Sequence, residues 1–250
     1  MANNRVDAVV GDIIEAVRNV LDKHDVTFPE YRAAVAFLAQ YNGAAPYEIP
    51  LGLDMFFNAT IHDIEMKNRK GSVTALEGPY FRDEAPAVKD RLKVLEGKGE
   101  PMIIEGTITD LSGEPLDGAE LWIWHSDPDG FYSGFVPYMP EADYYRGVLK
   151  TGPDGAYSVR TSVPAPYTIP HDGPSGALLE AMGRHPWRPA HIHFKVRHPK
   201  VLDHITQSYF QGGSYVDDDC VEGVRPDLIH TMDERDGVKV LHKDFVLDPA

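Results

Sequence analysis

Two histidines separated by one residue are the feature of this sequence with the clearest chemistry. They stand in the stretch RPAHIHF, residues 188–194. In an extended strand successive side chains point to opposite faces, so His191 and His193 are predicted to share one face. Neutral imidazole suits iron, copper, nickel and zinc, and the pair could therefore form half of a metal site. A half-buried strand whose histidines only form hydrogen bonds would show the same pattern.

Two tyrosines are candidates for the other half of such a site. Tyr132 follows a predicted strand in the turn-rich segment 124–133, and Tyr167 lies among three prolines in the segment 163–170. The chain contains 12 tyrosines, so either residue taken alone is explained as well by packing or by a simple hydrogen bond.

Composition narrows the classes of function. The chain has 250 residues, 42% of them hydrophobic, and a formal net charge of −15, which argues against nucleic acid and anionic membranes as partners. The one cysteine, Cys220, cannot form an internal disulfide, which fits a reducing compartment. Neither a secretion signal nor an apolar segment of membrane-spanning length is visible, so we expect a cytoplasmic protein without membrane insertion.

The N-terminal part has the apolar spacing of short amphipathic helices. A first helix is predicted over residues 6–21, a second begins at a capping box of Thr27 and Glu30, and a third runs from about residue 53 to 66. Three such helices have little core of their own and must pack against a larger body or a second subunit. A structural cap and a dimerisation surface are both compatible with this pattern.

From about residue 71 onward the pattern changes to strands and turns. Strands are predicted over 102–108, 119–125, 190–196, 205–210 and 238–247, and Pro153-Asp154-Gly155 predicts a hairpin. The sequence therefore predicts a mainly β fold. An antiparallel β-sandwich catalytic domain of residues 76–250 would carry an N-terminal α-helical dimerisation layer of residues 1–75.

Taken together, these segments resemble the intradiol ring-cleavage dioxygenases, most closely the chlorocatechol 1,2-dioxygenases within that family. The resemblance covers almost the whole chain, and its specific pieces agree in order and spacing. These pieces are WHS at 124–126 with Tyr132, PY at 166–167 with GP at 173–174, GRH at 183–185, RPAHIH at 188–193 and TQ at 206–207.

The resemblance implies a mononuclear non-haem Fe(III) site held by Tyr132, Tyr167, His191 and His193. Fe(III) is a hard ion that suits anionic oxygen, and two phenolates with one hydroxide would cancel its charge. By the same resemblance Tyr167 is the ligand released when the substrate binds. Two further residues carry implied catalytic roles. Arg188 would stabilise negative charge on the ring, and Gln207 would support the iron site through hydrogen bonds.

The implied reaction uses O2 to cleave a catechol or chlorocatechol between its two hydroxyl-bearing carbons, giving a cis,cis-muconate. A related subgroup cleaves hydroxyquinols, with or without chlorine, to maleylacetates, and a carboxylate such as Asp54 could bind their third hydroxyl. Glu77 departs from the family, where this loop position is often neutral. The residues that match the family's substrate pocket are Leu51, Asp54, Met55, Leu76, Gly78, Pro79, Tyr80, Ile169, Pro170 and Cys220.

The resemblance also implies a homodimer formed through the N-terminal helices, with a phospholipid bound at the helical interface. Two alternatives from other classes stay open on the residues themselves. One is a cupin-like zinc or ferrous enzyme built on His191, His193 and a carboxylate, and the other is a β-sandwich binding module without catalysis.

Overall fold

A computed structural model describes residues 4–250. The chain divides into two compact units, of which the first ends at Glu48 and the second spans Ile49–Ala250. The division into a helical region of residues 1–75 and a catalytic domain of residues 76–250 stays a prediction.

Helices α1 (Asn4–Lys23) and α2 (Phe28–Gln40) make up most of the first unit. The predicted capping box of α2 is confirmed, because the Thr27 hydroxyl accepts the Glu30 N–H while the Glu30 carboxylate accepts the Thr27 N–H at 2.8 Å. Helix α1 is amphipathic, as predicted, but the apolar side chains of its stripe are exposed to solvent. They are Val6, Val9, Val10, Ile13, Ile14, Val17, Val20 and Leu21.

The third predicted helix begins earlier than expected and is interrupted. It consists of α3 (Glu48–Leu53), a π-helical turn (Asp54–Asn58) and α4 (Ala59–Met66). The helix begins at Glu48, and Pro50 lies within its first turn. A proline within the first turn removes an N–H that has no helical partner there, so the helix tolerates it. Single π turns occur frequently at functional sites.

The second unit contains short strands with one further helix, α5 (Pro174–Ala181). The strands are β1 (Pro101–Asp110), β2 (Glu120–His125), β3 (Arg146–Lys150), β4 (Ala156–Ser162), β5 (Tyr167–Thr168), β6 (Trp187–Arg188), β7 (His191–Arg197), β8 (His204–Phe210), β9 (Ile229–His230), β10 (Asp233–Arg235), β11 (Val238–His242) and β12 (Phe245–Leu247).

Two five-stranded sheets form the body of this unit within residues 4–250. One has the order β10-β11-β1-β12 with β4 on β1, and the other has the order β3-β2-β7-β8-β9. Side chains from both sheets share one apolar core, for example Ile104 of the first sheet with Ile123 and Phe194 of the second. The predicted mainly β sandwich is confirmed. Most pairings are antiparallel, whereas β1 runs parallel to β11 and β12, and β8 runs parallel to β9.

Two local predictions are wrong. Pro153-Asp154-Gly155 does not close a hairpin, because β3 pairs with β2 and β4 pairs with β1. The turn, with Gly155 at a φ of +68°, instead carries the chain from one sheet to the other. The predicted last strand, residues 238–247, is two strands that both pair with β1. None of the helices in the described part of the chain is long and apolar enough to span a membrane.

Candidate metal centre

The outer face of the second sheet carries the candidate site. On β7, His191 and His193 point to this face, whereas Ile192 belongs to the core between the sheets, as the alternation predicts. The neighbouring strand β8 is in register, so that His191 pairs with Tyr209 and His193 pairs with Gln207. Cross-strand partners share a face, and the register therefore places four polar side chains together.

The two histidine rings face each other through their Nε2 atoms. Their Nε2 atoms lie 3.0 Å apart. The Nδ1 of His191 lies 2.7 Å from the carbonyl oxygen of Pro189, and the His193 ring bonds to the carbonyl of Leu76. A carbonyl only accepts, so Nδ1 of His191 carries the proton and its Nε2 keeps a lone pair. Two imidazoles whose Nε2 atoms lie this close together are suited to a shared cation.

Both tyrosines predicted as ligands reach the same point. Tyr132 lies in the loop after β2, and its ring centroid is 5.2 Å from that of Tyr167 and 6.3 Å from that of His193. The ring of Tyr167, in β5, is 5.5 Å from that of His191. Within residues 4–250 the buried Tyr132 hydroxyl makes no hydrogen bond of normal geometry, and the Tyr167 hydroxyl is its polar neighbour. A buried polar atom that is so poorly satisfied calls for an explanation, and metal ligation supplies one.

Arg188 reaches the centre from β6. Its Nη1 donates to the Tyr167 hydroxyl at 3.5 Å and lies 3.2 Å from Nε2 of His191. Its Nη2 donates to Gln207 Oε1 at 3.2 Å and to the Tyr209 hydroxyl at 2.8 Å. The guanidinium is therefore directed at the candidate centre rather than forming the surface salt bridge that a lone arginine usually forms.

Gln207 connects the strand to the loop that covers it. Its Nε2 donates to the Leu76 carbonyl at 2.7 Å and lies 3.2 Å from Nδ1 of His193. Its Oε1 accepts from Arg188 and from the Tyr209 hydroxyl. Because Leu76 is also the carbonyl that bonds the His193 ring, Gln207 helps to fix the orientation of that ring.

Burial sets the charge of these groups. It lowers the pKa of His191 and of His193 well below the ordinary value, with the Arg188 charge adding to the effect, so both imidazoles are neutral. Burial raises the pKa of Tyr132 well above its ordinary value and raises that of Tyr167. Neutral imidazoles are ready ligands, and the phenols would ionise in this place only beside a cation.

The donor set fits a hard, highly charged metal ion. Two phenol oxygens and two imidazole nitrogens converge, and two phenolates would offset most of the charge of Fe(III). The described residues contain no group of three or more His, Cys, Asp or Glu side chains that could hold a metal. The cupin-like alternative needs a carboxylate beside the two histidines, so this arrangement weighs against it.

Most of the predicted pocket residues lie beside the tyrosines. Tyr80 stacks on Tyr132 with ring centroids 4.1 Å apart. Gly78 has a φ of +71°, and a Cβ added to it would lie 3.5 Å from the His193 ring. Asp54 accepts a hydrogen bond from Asn58 in the π turn, whereas Pro79 is exposed and Pro170 half-buried. Five pocket residues are buried in the same apolar cluster as the two tyrosines: Leu51, Met55, Leu76, Ile169 and Cys220.

The charge of Glu77, noted as a departure from the family, is neutralised by a partner that sequence reasoning missed. Lys195 lies on the same face of β7 as the histidines and donates to Glu77 at 2.8 Å. Trp124 was also missed, and its indole stacks on His193 with centroids 4.7 Å apart. Strand alternation from His193 could have found Lys195.

Asp219 and Tyr209 are the other residues that sequence reasoning missed. Burial alone would lower the pKa of Arg188, but the Asp219 carboxylate together with Tyr209 and Tyr167 raises that pKa well above its ordinary value, so the guanidinium stays charged. Tyr209 lies two residues after Gln207 on one strand, and the same alternation could have found it. No local signal points to Asp219, which is 31 residues from Arg188 in sequence.

A β-sandwich with two histidines on a strand and two tyrosines beside them has the set of ligands expected of a mononuclear metalloenzyme. A family model described as Dioxygenase matches residues 76–249, more than half of the chain, and the chain belongs to that family.

Individual relatives give the same placement. A chlorocatechol 1,2-dioxygenase of Cupriavidus pinatubonensis is 46% identical over 99% of this chain and 96% of its own length. The crystal structure of chlorocatechol 1,2-dioxygenase from Pseudomonas putida matches with a TM-score of 0.92 and 46% identity, covering 99% of this chain and 100% of that one. A 6-chlorohydroxyquinol 1,2-dioxygenase of Cupriavidus pinatubonensis is 43% identical, but over 69% of this chain and 63% of its own length.

Proposed function

We propose that this protein is an intradiol dioxygenase that cleaves chlorocatechols between their two hydroxyl-bearing carbons with O2, giving chloro-cis,cis-muconates. The observation that carries the proposal is the convergence of Tyr132, Tyr167, His191 and His193 on one point beside a buried arginine. These four residues would hold a single ferric ion. When bound, that ion makes a coordinated catecholate reactive toward O2.

Tyr167 differs from Tyr132 in a way that supports its role as the ligand that is released. Its hydroxyl accepts a hydrogen bond from Arg188 Nη1 at 3.5 Å, whereas Tyr132 is packed under the Tyr80 ring. A ligand that leaves a metal in a buried site needs another hydrogen-bond partner. Tyr167 would therefore be the ligand free to leave, and its phenolate oxygen would take the proton from one substrate hydroxyl while a hydroxide at the site would take the other.

Arg188 supplies a fixed positive charge beside the ring. Once the catechol oxygens have lost their protons, negative charge spreads over the ring, and a guanidinium already oriented toward it stabilises that charge. The surrounding apolar cluster, which includes Met55, Leu76 and Ile169, excludes water and so strengthens this interaction. Met55 is polarizable and unbranched, which suits contact with a chlorine substituent.

Chlorocatechol is preferred over hydroxyquinol as the substrate class on two grounds. The similarity to a chlorocatechol-cleaving enzyme extends over 99% of this chain, against 69% for the chlorohydroxyquinol-cleaving relative. In addition, the charged groups near the pocket already have partners. Glu77 accepts from Lys195, and Asp54 accepts from Asn58 through Oδ1, so each has already used part of its capacity to bind a third hydroxyl.

The proposal extends to assembly. The exposed apolar stripe of α1 supports a homodimer formed through the N-terminal helices, since such a stripe on a monomer would face water. The family resemblance adds a phospholipid at that interface. Lipid extraction from the purified protein followed by mass spectrometry tests for it.

The function is tested with the iron-loaded protein and a panel of catechol, chlorinated catechols and hydroxyquinol. We expect kcat/KM, measured from muconate absorbance, to be highest with a chlorinated catechol. We also expect both atoms of ¹⁸O2 to enter the product. A preference for hydroxyquinol would reassign the substrate. Absence of ring cleavage by iron-loaded protein would overturn the proposal.

A further inference from the structure

Asp219 is a buried carboxylate that holds the guanidinium of Arg188 from the side away from the centre. Its Oδ1 accepts from Nε and its Oδ2 from Nη2, both at 3.1 Å. Both side chains are almost completely buried. Two parallel N–H···O bonds of this kind fix the plane of a guanidinium as well as its position.

The carboxylate is itself held by the loop that contains it. Oδ1 accepts the Val221 N–H at 3.4 Å, and Oδ2 accepts the Gly223 N–H at 3.1 Å. Gly223 leaves room for this arrangement. A Cβ at that position would lie 2.6 Å from Cδ1 of Leu76 and 3.1 Å from Nη2 of Arg188. Residues 219–223 therefore form a loop that holds the Asp219 carboxylate, and through it the arginine, in one position. Cys220 lies in the adjacent apolar cluster.

The two hydrogen bonds to Asp219 determine which nitrogen of Arg188 faces the reacting groups. Nε and Nη2 are engaged by Asp219, and Nη2 also bonds Gln207 and Tyr209. Nη1 is the nitrogen that points to the Tyr167 hydroxyl and to Nε2 of His191. Without the carboxylate, rotation about the terminal torsions of the arginine would no longer be restricted on this side.

We propose that Asp219 is a positioning residue for the ring-cleavage reaction, which acts by directing Nη1 of Arg188 at the bound substrate. The inference rests on the proposed function. It predicts that loss of the carboxylate slows the step in which ring charge develops and leaves substrate binding nearly unchanged.

A salt bridge that only stabilises the fold would behave differently, and a double-mutant cycle separates the two roles. The variants are Asp219→Asn, Arg188→Gln and the pair, with Asp218→Asn as a matched control. Asp218 is the preceding residue, its side chain is mostly exposed, and its carboxylate accepts from His185 at 2.9 Å. We expect Asp219→Asn to lower kcat at least about tenfold when Arg188 is present and less than about twofold in the Arg188→Gln background.

Two measurements besides turnover accompany the cycle. Anaerobic titration with a catechol, followed by the visible charge-transfer band, should give a dissociation constant for Asp219→Asn within about threefold of wild type. Thermal unfolding of the iron-free proteins should show that the pair is no less stable than the weaker single variant. Asp218→Asn should match wild type in every measurement.

The outcomes separate this inference from the proposed function. If wild type cleaves catechols and Asp219→Asn keeps kcat within twofold, or loses the same factor in both backgrounds, the positioning role is overturned and the function stands. If iron-loaded wild type cleaves no catechol, both fall. Should Asp219→Asn not fold, Gly223→Ala displaces the same guanidinium without removing a charge, and an unchanged kcat in that variant overturns the inference.

Discussion

Tyr167 and Arg188 are directly paired residues of the two-stranded sheet formed by β5 and β6. The tyrosine proposed to leave the metal and the cation proposed to stabilise the ring are therefore held by one short ribbon. Their relative position is set by backbone hydrogen bonds, not by side-chain packing alone. A small displacement of this ribbon would move both groups together.

The first prediction concerns Arg188. We expect Arg188→Gln to keep its iron and to bind catechol, while kcat falls by about 10²–10³, as is typical when one preorganised donor to developing charge is removed. Steady-state kinetics with metal analysis checks this. Arg184→Gln is the control, since Arg184 pairs with Glu222 at the surface. An Arg188→Gln enzyme within threefold of wild type would contradict the role.

The second prediction concerns colour. A phenolate bound to Fe(III) absorbs in the visible, so the iron-loaded wild type should be red-brown. Tyr132→Phe and Tyr167→Phe should each weaken and shift the band. Tyr157→Phe is the control, because Tyr157 is equally buried but bonds the Lys243 carbonyl in the sandwich core. Full colour and full iron in both ligand variants would show that the ligands are wrongly assigned.

Residues within one strand were predictable, and residues joined only by tertiary structure were not. Alternation along β7 is enough to place His191 and His193 on one face with Ile192 in the core. Nothing local brings Tyr132 to Tyr167, and only the family resemblance pointed to both. Asp219 has no counterpart in any pattern, because its partner belongs to a distant strand.

The errors in the predicted fold have a similar origin. Pro153-Asp154-Gly155 has the composition of a hairpin turn, and turn chemistry does not reveal whether the flanking strands pair with each other. Here each strand has a better partner, β2 for β3 and β1 for β4. The parallel pairings of β1 with β11 and β12 likewise join segments more than a hundred residues apart, which periodicity cannot report.

The third prediction concerns metal binding measured without turnover. Ferric ion should raise the unfolding temperature of wild-type protein, since a ligand that binds only the folded state at 100 times its dissociation constant stabilises it by about 2.7 kcal/mol. In His193→Ala one donor is lost, and the increase should be much smaller. His198→Ala is the control, because its Nδ1 accepts only the backbone N–H of Lys200 among the contacts described. Equal stabilisation of all three proteins would contradict the site.

The fourth prediction concerns the exposed stripe of α1. Ile13→Asp places a charge on that stripe, where Ile13 is 57% exposed, and should shift the proposed dimer toward monomer in sedimentation experiments. Glu15→Gln lies on the opposite side of the same helix and should leave assembly unchanged. A wild-type protein that is monomeric at micromolar concentration would rule out the dimer.

The fifth prediction concerns pH and Lys243. Burial lowers the pKa of this ammonium to about 8, whereas in the unfolded chain it is about 10.4. Below pH 8 the folded protein must keep a buried charge. Between about pH 8 and pH 10 the unfolded chain binds the extra proton, so the contribution of Lys243 to stability rises with pH.

Lys243→Met should therefore be more stable than wild type at pH 7, by up to about 3 kcal/mol, and the difference should shrink by pH 9.5. Urea unfolding of the iron-free proteins at the two pH values measures it. Lys150→Met, at an exposed position, should change stability by less than about 0.5 kcal/mol at either pH. A difference independent of pH would show that Lys243 is not titrating in this range.

The candidate centre occupies one side of the second sheet, and the apolar core that holds the two sheets together occupies the other. Side chains that face the candidate centre thus alternate along β7 and β8 with those that stabilise the fold. Substitutions around the ring can alter which halogenated compounds are accepted while the sandwich interior stays untouched. The substrate range can therefore evolve through such replacements without loss of the folded structure.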